Sequence, residues 1–461
     1  MASQIDGPRL PRLLMRLWWS RNPRACMDAC AKRYGDIFQV DLGLLDRPVV
    51  VTGHPEAMQQ LFSAGHQQLD SGKALYDLAK PMAGENSIGV LDGSAHQRQR
   101  RLMMPPFLGK SIQSYRTLIV DLATQAMESW QIGEPRVISE VLKDVTLRVI
   151  LQSVFGIYDG PRYEKLRVLF SDMMEGKGFP FGSALLYFKF LQVDLGRWSP
   201  WGKFQYLIAQ IDELLYAEIR DRRAYLDPER TDVLSLLMLA RDEEGQAMSD
   251  IELRDELMTL LHSGHSTTNA ALSWAFYFIH RQPEVRQKLM AELTTQFDPQ
   301  DLAAAEKLPY LQAVVQETLR IYPVSLVALA RIARNPIEIL GKTYETGTVF
   351  FPAIYLTHRR ADLYPDPETF RPERFLERQF SIYEYLPFGG GHRMCIGTAF
   401  AQMQMRLILA TILSRWELSL VSDQPVQPGR RGLGGIKPSG GVPMVLTGQR
   451  NARSSVSVSR T

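Results

Sequence analysis

The sequence predicts a mainly α-helical protein with a small β-sheet subdomain, and three observations carry that prediction. Apolar residues recur at threes and fours through 114–130, 137–157, 204–225 and 250–281, the period of helices that bury one face. Strand-like runs are confined to two distant regions, one near the start and one at 337–353. No linker divides the 461 residues. A single domain over residues 1–450 is therefore expected, with NARSSVSVSRT (451–461) as a disordered tail.

The elements follow in order. RLPRLLMRLWWSRNPR (9–24) reads as a first helix. Arg12 and Arg16 break its apolar run, so it is neither a membrane span nor a signal-peptide core. Its basic, Trp-bearing character would suit a membrane surface, but the expectation is a Leu and Trp face folded onto the body. DIFQVDLG and RPVVVTG (47–53) alternate like strands. The helical segments come next, with Pro or Gly at several breaks. The longest starts with Ser249 and Glu252 in capping-box spacing and stops before Pro283, long enough to run roughly 45 to 50 Å. In its middle lies SGHSTT (263–268), where Gly264 weakens the helix and Thr267 and Thr268 add hydroxyls to an apolar stretch. IEILGKTYETGTVFFPA then returns to strand, with turns at Gly341 and Gly347.

Composition excludes several functions. An apolar content of 45% supports a large core. A formal charge of +3, from 53 Lys+Arg against 50 Asp+Glu, is far from the concentrated basic surface that nucleic-acid binding needs. The three cysteines, Cys26, Cys30 and Cys395, cannot build a disulfide framework, and a reducing cytoplasm fits them. Cys26 and Cys30 have helical spacing, but no fourth-ligand pattern completes a zinc site with Cys395. With no run of about 20 apolar residues, a soluble, cytoplasmic monomer without a transmembrane segment is expected.

FGGGHRMCIG (388–397) sets Cys395 among glycines, two residues after Arg393 and just before an apolar helical run. A cysteine that ligates metal must be a thiolate, and a helix start is expected to lower its pKa. Gly389, Gly390, Gly391 and Gly397 would clear space around the sulfur for backbone N–H groups and a flat ligand.

The pattern F-x-x-G-x-R-x-C-x-G, met by Phe388, Gly391, Arg393, Cys395 and Gly397, resembles the haem-binding signature of the cytochrome P450 family. Further motifs stand in the family's order. ETLR supplies Glu317 and Arg320, and RPERF supplies Arg374, which the resemblance makes an ion cluster supporting the cysteine loop. By itself E-x-x-R is a common surface pattern; upstream of such a loop it gains weight. HQRQR gives His96 and Arg100, which with Arg331 and Arg393 would meet the haem propionates. SGHSTT occupies the place of the oxygen-activation motif, so the resemblance implies that Gly264 makes room for dioxygen and Thr267 helps deliver protons. Ser266 departs from the family there, standing where most members carry Asp or Glu; serine orients water but supplies no proton at neutral pH.

The resemblance implies the cytochrome P450 fold and a monooxygenase with heme b, iron protoporphyrin IX, on the Cys395 thiolate. Electrons would come from NAD(P)H through an external reductase and a ferredoxin or flavodoxin-type donor, since no flavin or iron-sulfur domain is evident in the sequence. The implied substrate is lipophilic. FPFGSALLYFKFLQVDLGRWSPWGKF (179–204) would form a lid, and DLGRWSPWGKF looks like a cyanobacterial-type group of fatty-acid hydroxylases. Leu75, Tyr76, Phe181, Leu185, Ser263, Val327, Ala328 and Leu329 would line the pocket by family position, for a fatty acid or terpenoid. Ser266 raises an alternative, a haem-thiolate enzyme that uses peroxide or rearranges an oxidised substrate; a haem sensor without catalysis is a third.

Overall fold

The structure is a computed structural model that describes residues 6–44, 47–175, 184–187, 191–431 and 435–450. The expected tail at 451–461 lies outside the described residues. The organising element is the central helix Asp250–Arg281, about 48 Å long at the usual rise. It starts where the capping box predicts: Ser249 Oγ accepts from the Glu252 N–H at 3.2 Å, and the Glu252 carboxylate accepts from the Ser249 N–H at 2.8 Å. Pro283 opens the next helix, Pro283–Gln296.

Around the central helix pack Ile138–Phe155, Pro200–Ala224, Pro309–Ile321 and Thr398–Arg415. Pro200–Ala224 begins earlier than its apolar period suggests because Ser199 caps it, Oγ accepting from the Gly202 N–H at 3.1 Å. The expected helix at 114–130 spans Arg116–Glu128. One continuous hydrophobic core joins these helices, reaching from Met15 to Leu446, with Trp274, Phe276, Phe155 and Phe170 fully buried.

The distant strand regions meet in one five-stranded sheet, in the order Ile37–Leu44, Arg47–Thr52, Val349–Pro352, Arg331–Ala333, Leu69–Asp70. Arg47–Thr52 runs parallel to Val349–Pro352, with Val50 opposite Phe350; the other pairs are antiparallel. The 337–353 run also contains a separate hairpin, Ile337–Ile339 with Lys342–Tyr344, turned by Leu340 and Gly341 at positive φ. A three-stranded sheet, Pro135–Val137, Pro443–Gln449 and Trp416–Leu420, forms away from the others.

The first helix, Arg12–Arg21, corrects one expectation. Met15 is buried, Trp19 packs near Phe351 at 6.2 Å between ring centroids, and Arg12 pairs with Asp41 at 3.0 Å. Residues 12, 15 and 19 share one helical face, so that face docks. Leu13, Leu14 and Leu17 are left outside. Among the described residues no helix is long and apolar enough to cross a membrane.

Candidate functional site

The cysteine loop is closed by its own backbone: the Cys395 N–H donates to the Phe388 carbonyl at 3.1 Å, and the Met394 N–H to the Gly391 carbonyl at 3.0 Å. Gly389 and Gly391 turn it at φ of 71° and 65°, conformations that side chains disfavour. Two of the glycines serve packing. A Cβ on Gly390 would lie 2.4 Å from the Phe62 ring, and one on Gly391 would lie 2.3 Å from the Phe62 carbonyl oxygen. Gly397 borders the sulfur: a Cβ there would lie 3.9 Å from Cys395 Sγ, an ordinary contact distance. The helix starts at Thr398 rather than at the cysteine.

Burial dominates the thiol's electrostatics. Cys395 keeps an exposed face, yet burial of the surrounding loop pushes its pKa up. The Gly397 N–H, the Thr398 hydroxyl and the Arg100 charge oppose that rise without overcoming it. The expected lowering by a helix start is therefore overturned. Such a thiol is deprotonated by direct coordination to a metal cation, which removes the proton outright.

Beside the loop lies a cluster of basic groups, His96, Arg331 and Arg393 buried, Arg100 and His392 half-buried. His96 and Arg100 stand one turn apart on the helix Gly93–Met103, and Arg100 donates to the Met394 carbonyl at 2.8 Å. Arg331 donates to Ser71 Oγ at 3.1 Å and to the carbonyls of Leu329 at 2.7 Å and Gly390 at 3.2 Å. Arg393 holds the Ile88 carbonyl at 3.0 Å and Asp92 at 2.6 Å. His392 meets His96 edge-on at 5.9 Å. Burial and then the Arg393 charge push Arg331 down to about 9. Burial, followed by Arg393, His392, Arg100 and Arg331, takes His96 to about 3.

His96 Nδ1, Arg331 Nε and Arg393 Nε are buried without a partner. Asp92 is already committed to the N–H groups of Ser71, Gly72 and Lys73, at 2.7, 2.9 and 3.1 Å. Mutually repelling buried cations with spare donors suit a ligand carrying carboxylates at one edge. Together with a ligating sulfur, this donor set fits haem b. Asp92 and His392 were missed from sequence because each acts through segments distant in the chain.

Glu317, Arg320 and Arg374 form a fully buried cluster. Arg320 bridges both Glu317 oxygens at 2.6 and 2.8 Å, and Arg374 Nε reaches the same carboxylate at 3.0 Å. Arg320 also holds the carbonyls of His358 at 2.8 Å and Pro367 at 2.9 Å. His358 Nε2 in turn accepts from the Leu386 N–H at 3.0 Å. The cluster is thus tied to the entry of the cysteine loop through a buried histidine that the motif reading missed.

On the central helix, Leu260, Ser263, Ser266 and Thr267 lie along one incompletely buried face, with Ser263 exposed. Thr267 Oγ1 donates to the Ser263 carbonyl at 2.6 Å. Gly264 does not make room there: its Cβ would meet Ile150 Cδ1 at 2.5 Å, so close packing on Ile138–Phe155 explains the glycine. His265 points the same way, its Nδ1 lying 3.0 Å from Thr146 Oγ1.

The pocket expectations divide. Leu75 and Tyr76 are half-buried on the helix Gly72–Ala83, Tyr76 accepting from Lys80 at 3.3 Å. Leu185 is buried on Ala184–Tyr187, which packs against that helix. Val327 and Leu329 are half-buried. Ala328 is corrected: it packs with Phe62, Ile354 and Leu386 and lies 3.7 Å from the Cβ position of Gly389, under the cysteine loop, because alternate residues of this extended run face opposite ways. Phe181 lies outside the described residues.

A family model described as Cytochrome P450 matches residues 6–442. A Mycobacterium tuberculosis protein provisionally named cytochrome P450 135B1 is 35% identical over 427 residues, covering 92% of this chain and 87% of that one. Another from that organism, provisionally named cytochrome P450 135A1, is 32% identical over 421 residues, covering 90% and 88%. Among solved structures, retinoic acid bound cyanobacterial CYP120A1 matches with a TM-score of 0.83 at 24% identity, covering 97% of this chain and all of that one. The cytochrome P450DA heme domain matches at 0.84 and 21% identity, covering 97% of each chain. At those identities the structural likeness is one of fold.

Proposed function

The chain belongs to the cytochrome P450 family of haem-thiolate monooxygenases, and from that membership we propose that it oxidises a lipophilic small molecule, a fatty acid, terpenoid or related natural product. Electrons would come from NAD(P)H by way of an external reductase and a ferredoxin or flavodoxin-type donor. The observation that carries the reading is the pairing of the Cys395 loop with the under-neutralised cluster of buried His96, Arg331 and Arg393 and half-buried Arg100. Support for a lipophilic substrate comes from the half-buried Leu75, Val327 and Leu329. The cyanobacterial neighbour, described as bound to retinoic acid, is an isoprenoid precedent.

In this reading Cys395 Sγ would hold the iron, and His96, Arg100, Arg331 and Arg393 the carboxylates of haem b. Bound there, the group would supply activation of dioxygen, so that one oxygen atom enters the substrate and the other leaves as water. The protein's own work is positioning and proton control. Phe388 anchors the loop by accepting the Cys395 N–H at its carbonyl. Glu317, Arg320 and Arg374 hold the loop's support rigid. Thr267, donating to Ser263, keeps its oxygen lone pairs turned to the open helix face, where they can accept from a water that moves protons. Ser266 can orient that water but donates no proton of its own at neutral pH.

Titrating the haem-loaded protein with fatty acids, retinoic acid and other terpenoids, and reading the spin-state change in the visible spectrum, tests the substrate class. Product formation with NAD(P)H, reductase and surrogate ferredoxin is then compared with product from peroxide alone. Turnover with the electron donor supports the monooxygenase reading. Turnover only with peroxide supports the second reading, which the serine at 266 favours.

A further inference from the structure

We propose that the outer face of the helix Arg12–Arg21 is a docking surface for an anionic lipid bilayer. Leu13, Leu14 and Leu17 follow helical spacing and form one stripe, 67, 52 and 52% exposed, with Leu10, 40% exposed, just ahead of the helix. A surface helix ordinarily turns its apolar stripe toward the core. This helix already has a docked face, built from Met15, Trp19 and the Arg12 to Asp41 pair, so the leucines form a second, bare one. Contiguous exposed apolar side chains rimmed by charge mark an interaction site.

The charge pattern selects the partner. From Gly7 to Met27 the sequence carries Arg9, Arg12, Arg16, Arg21 and Arg24 and neither Asp nor Glu. Arg9, ahead of the helix, and Arg21, at its end, are exposed, while Trp18 stands half-buried at the stripe's edge. Leucines for the acyl boundary, arginines for phosphate head groups and tryptophan at the interface are the parts of a helix that lies in a membrane surface. At ten residues, the helix is too short to span. A second copy of this chain fits less well, because self-pairing would set one arginine-rich flank against another. The inference does not depend on the substrate.

The test uses the full-length haem-loaded protein and vesicles of phosphatidylcholine, with or without phosphatidylglycerol, in a co-sedimentation assay. Binding to the anionic vesicles is expected, weakening as salt rises. The double variant Leu13→Ser, Leu17→Ser should weaken it on the order of tenfold or more, and Arg9→Glu with Arg21→Glu should do so by a similar factor. An unchanged visible spectrum certifies that each variant is intact, and if the leucine variant fails to fold the arginine variant decides. The proposal is overturned if the wild type ignores anionic vesicles, or if neither double variant changes binding. It is equally overturned if sedimentation shows a wild-type dimer that the leucine variant dissolves.

Discussion

Arg331 illustrates what a single residue must do here. Its guanidinium is buried, lowered by burial and by Arg393, and left with an unpaired Nε. A ligand carboxylate would relieve that, so Arg331→Met should weaken haem retention on the order of tenfold or more, the scale of one charge-assisted contact. Haem-to-protein absorbance after gel filtration measures this, and full retention would remove Arg331 from the haem site. At the helix face, Ser266→Asp should raise product formed per NAD(P)H consumed and Thr267→Ala should lower it. Unchanged coupling in both would move proton delivery elsewhere. Cys395, Glu317, Arg320 and Arg374 were legible because motif spacing names them. The reasons for Gly264 and Gly390 were not, because Ile150 and Phe62 are far away in sequence and only the folded chain brings them into contact.

Among elements, the central helix was the most legible, since its ends are encoded locally by Ser249, Glu252 and Pro283. Ser249→Ala should cost about 1 kcal/mol in denaturant unfolding, the usual value of a lost cap. Its packing was less legible. Gly264→Ala gains about 1 kcal/mol of helix propensity but drives a methyl group into Ile150 Cδ1, the atom that Ile150→Val removes. A double-mutant cycle should therefore show Gly264→Ala better tolerated in the Ile150→Val background, by on the order of 1 kcal/mol. Additive effects would contradict the contact. The first helix was read with its leucines inward because periodicity identifies a stripe and not what lies opposite it; Arg12 and Met15 decide the docked face.

The whole molecule joins segments that the sequence keeps apart. Val50 lies opposite Phe350 in the sheet, and the Ile88 peptide is held from two sides, its N–H by Glu256 at 2.7 Å and its carbonyl by Arg393 at 3.0 Å. No local pattern announces such pairings, which is why fold class was readable and topology was not. Glu256 links this clamp to pH. Burial raises its pKa from 4.5 to about 8, reinforced by Asp255 and Glu252 and opposed by Gln99 and the Ile88 N–H. The folded state then binds the proton more tightly than the unfolded one, so this contribution to stability is complete below pH 4.5 and is lost as pH rises toward about 8. Glu256→Gln should flatten that slope in unfolding experiments across this range; an unaltered slope would assign it to other groups. The most direct test of the central claim, that Cys395 sulfur carries the haem iron, is the absorption spectrum of the reduced protein under carbon monoxide. The expected result is the red-shifted band of thiolate-ligated haem, lost in Cys395→His; a band of imidazole-ligated haem in the wild type, or no bound haem, would contradict it.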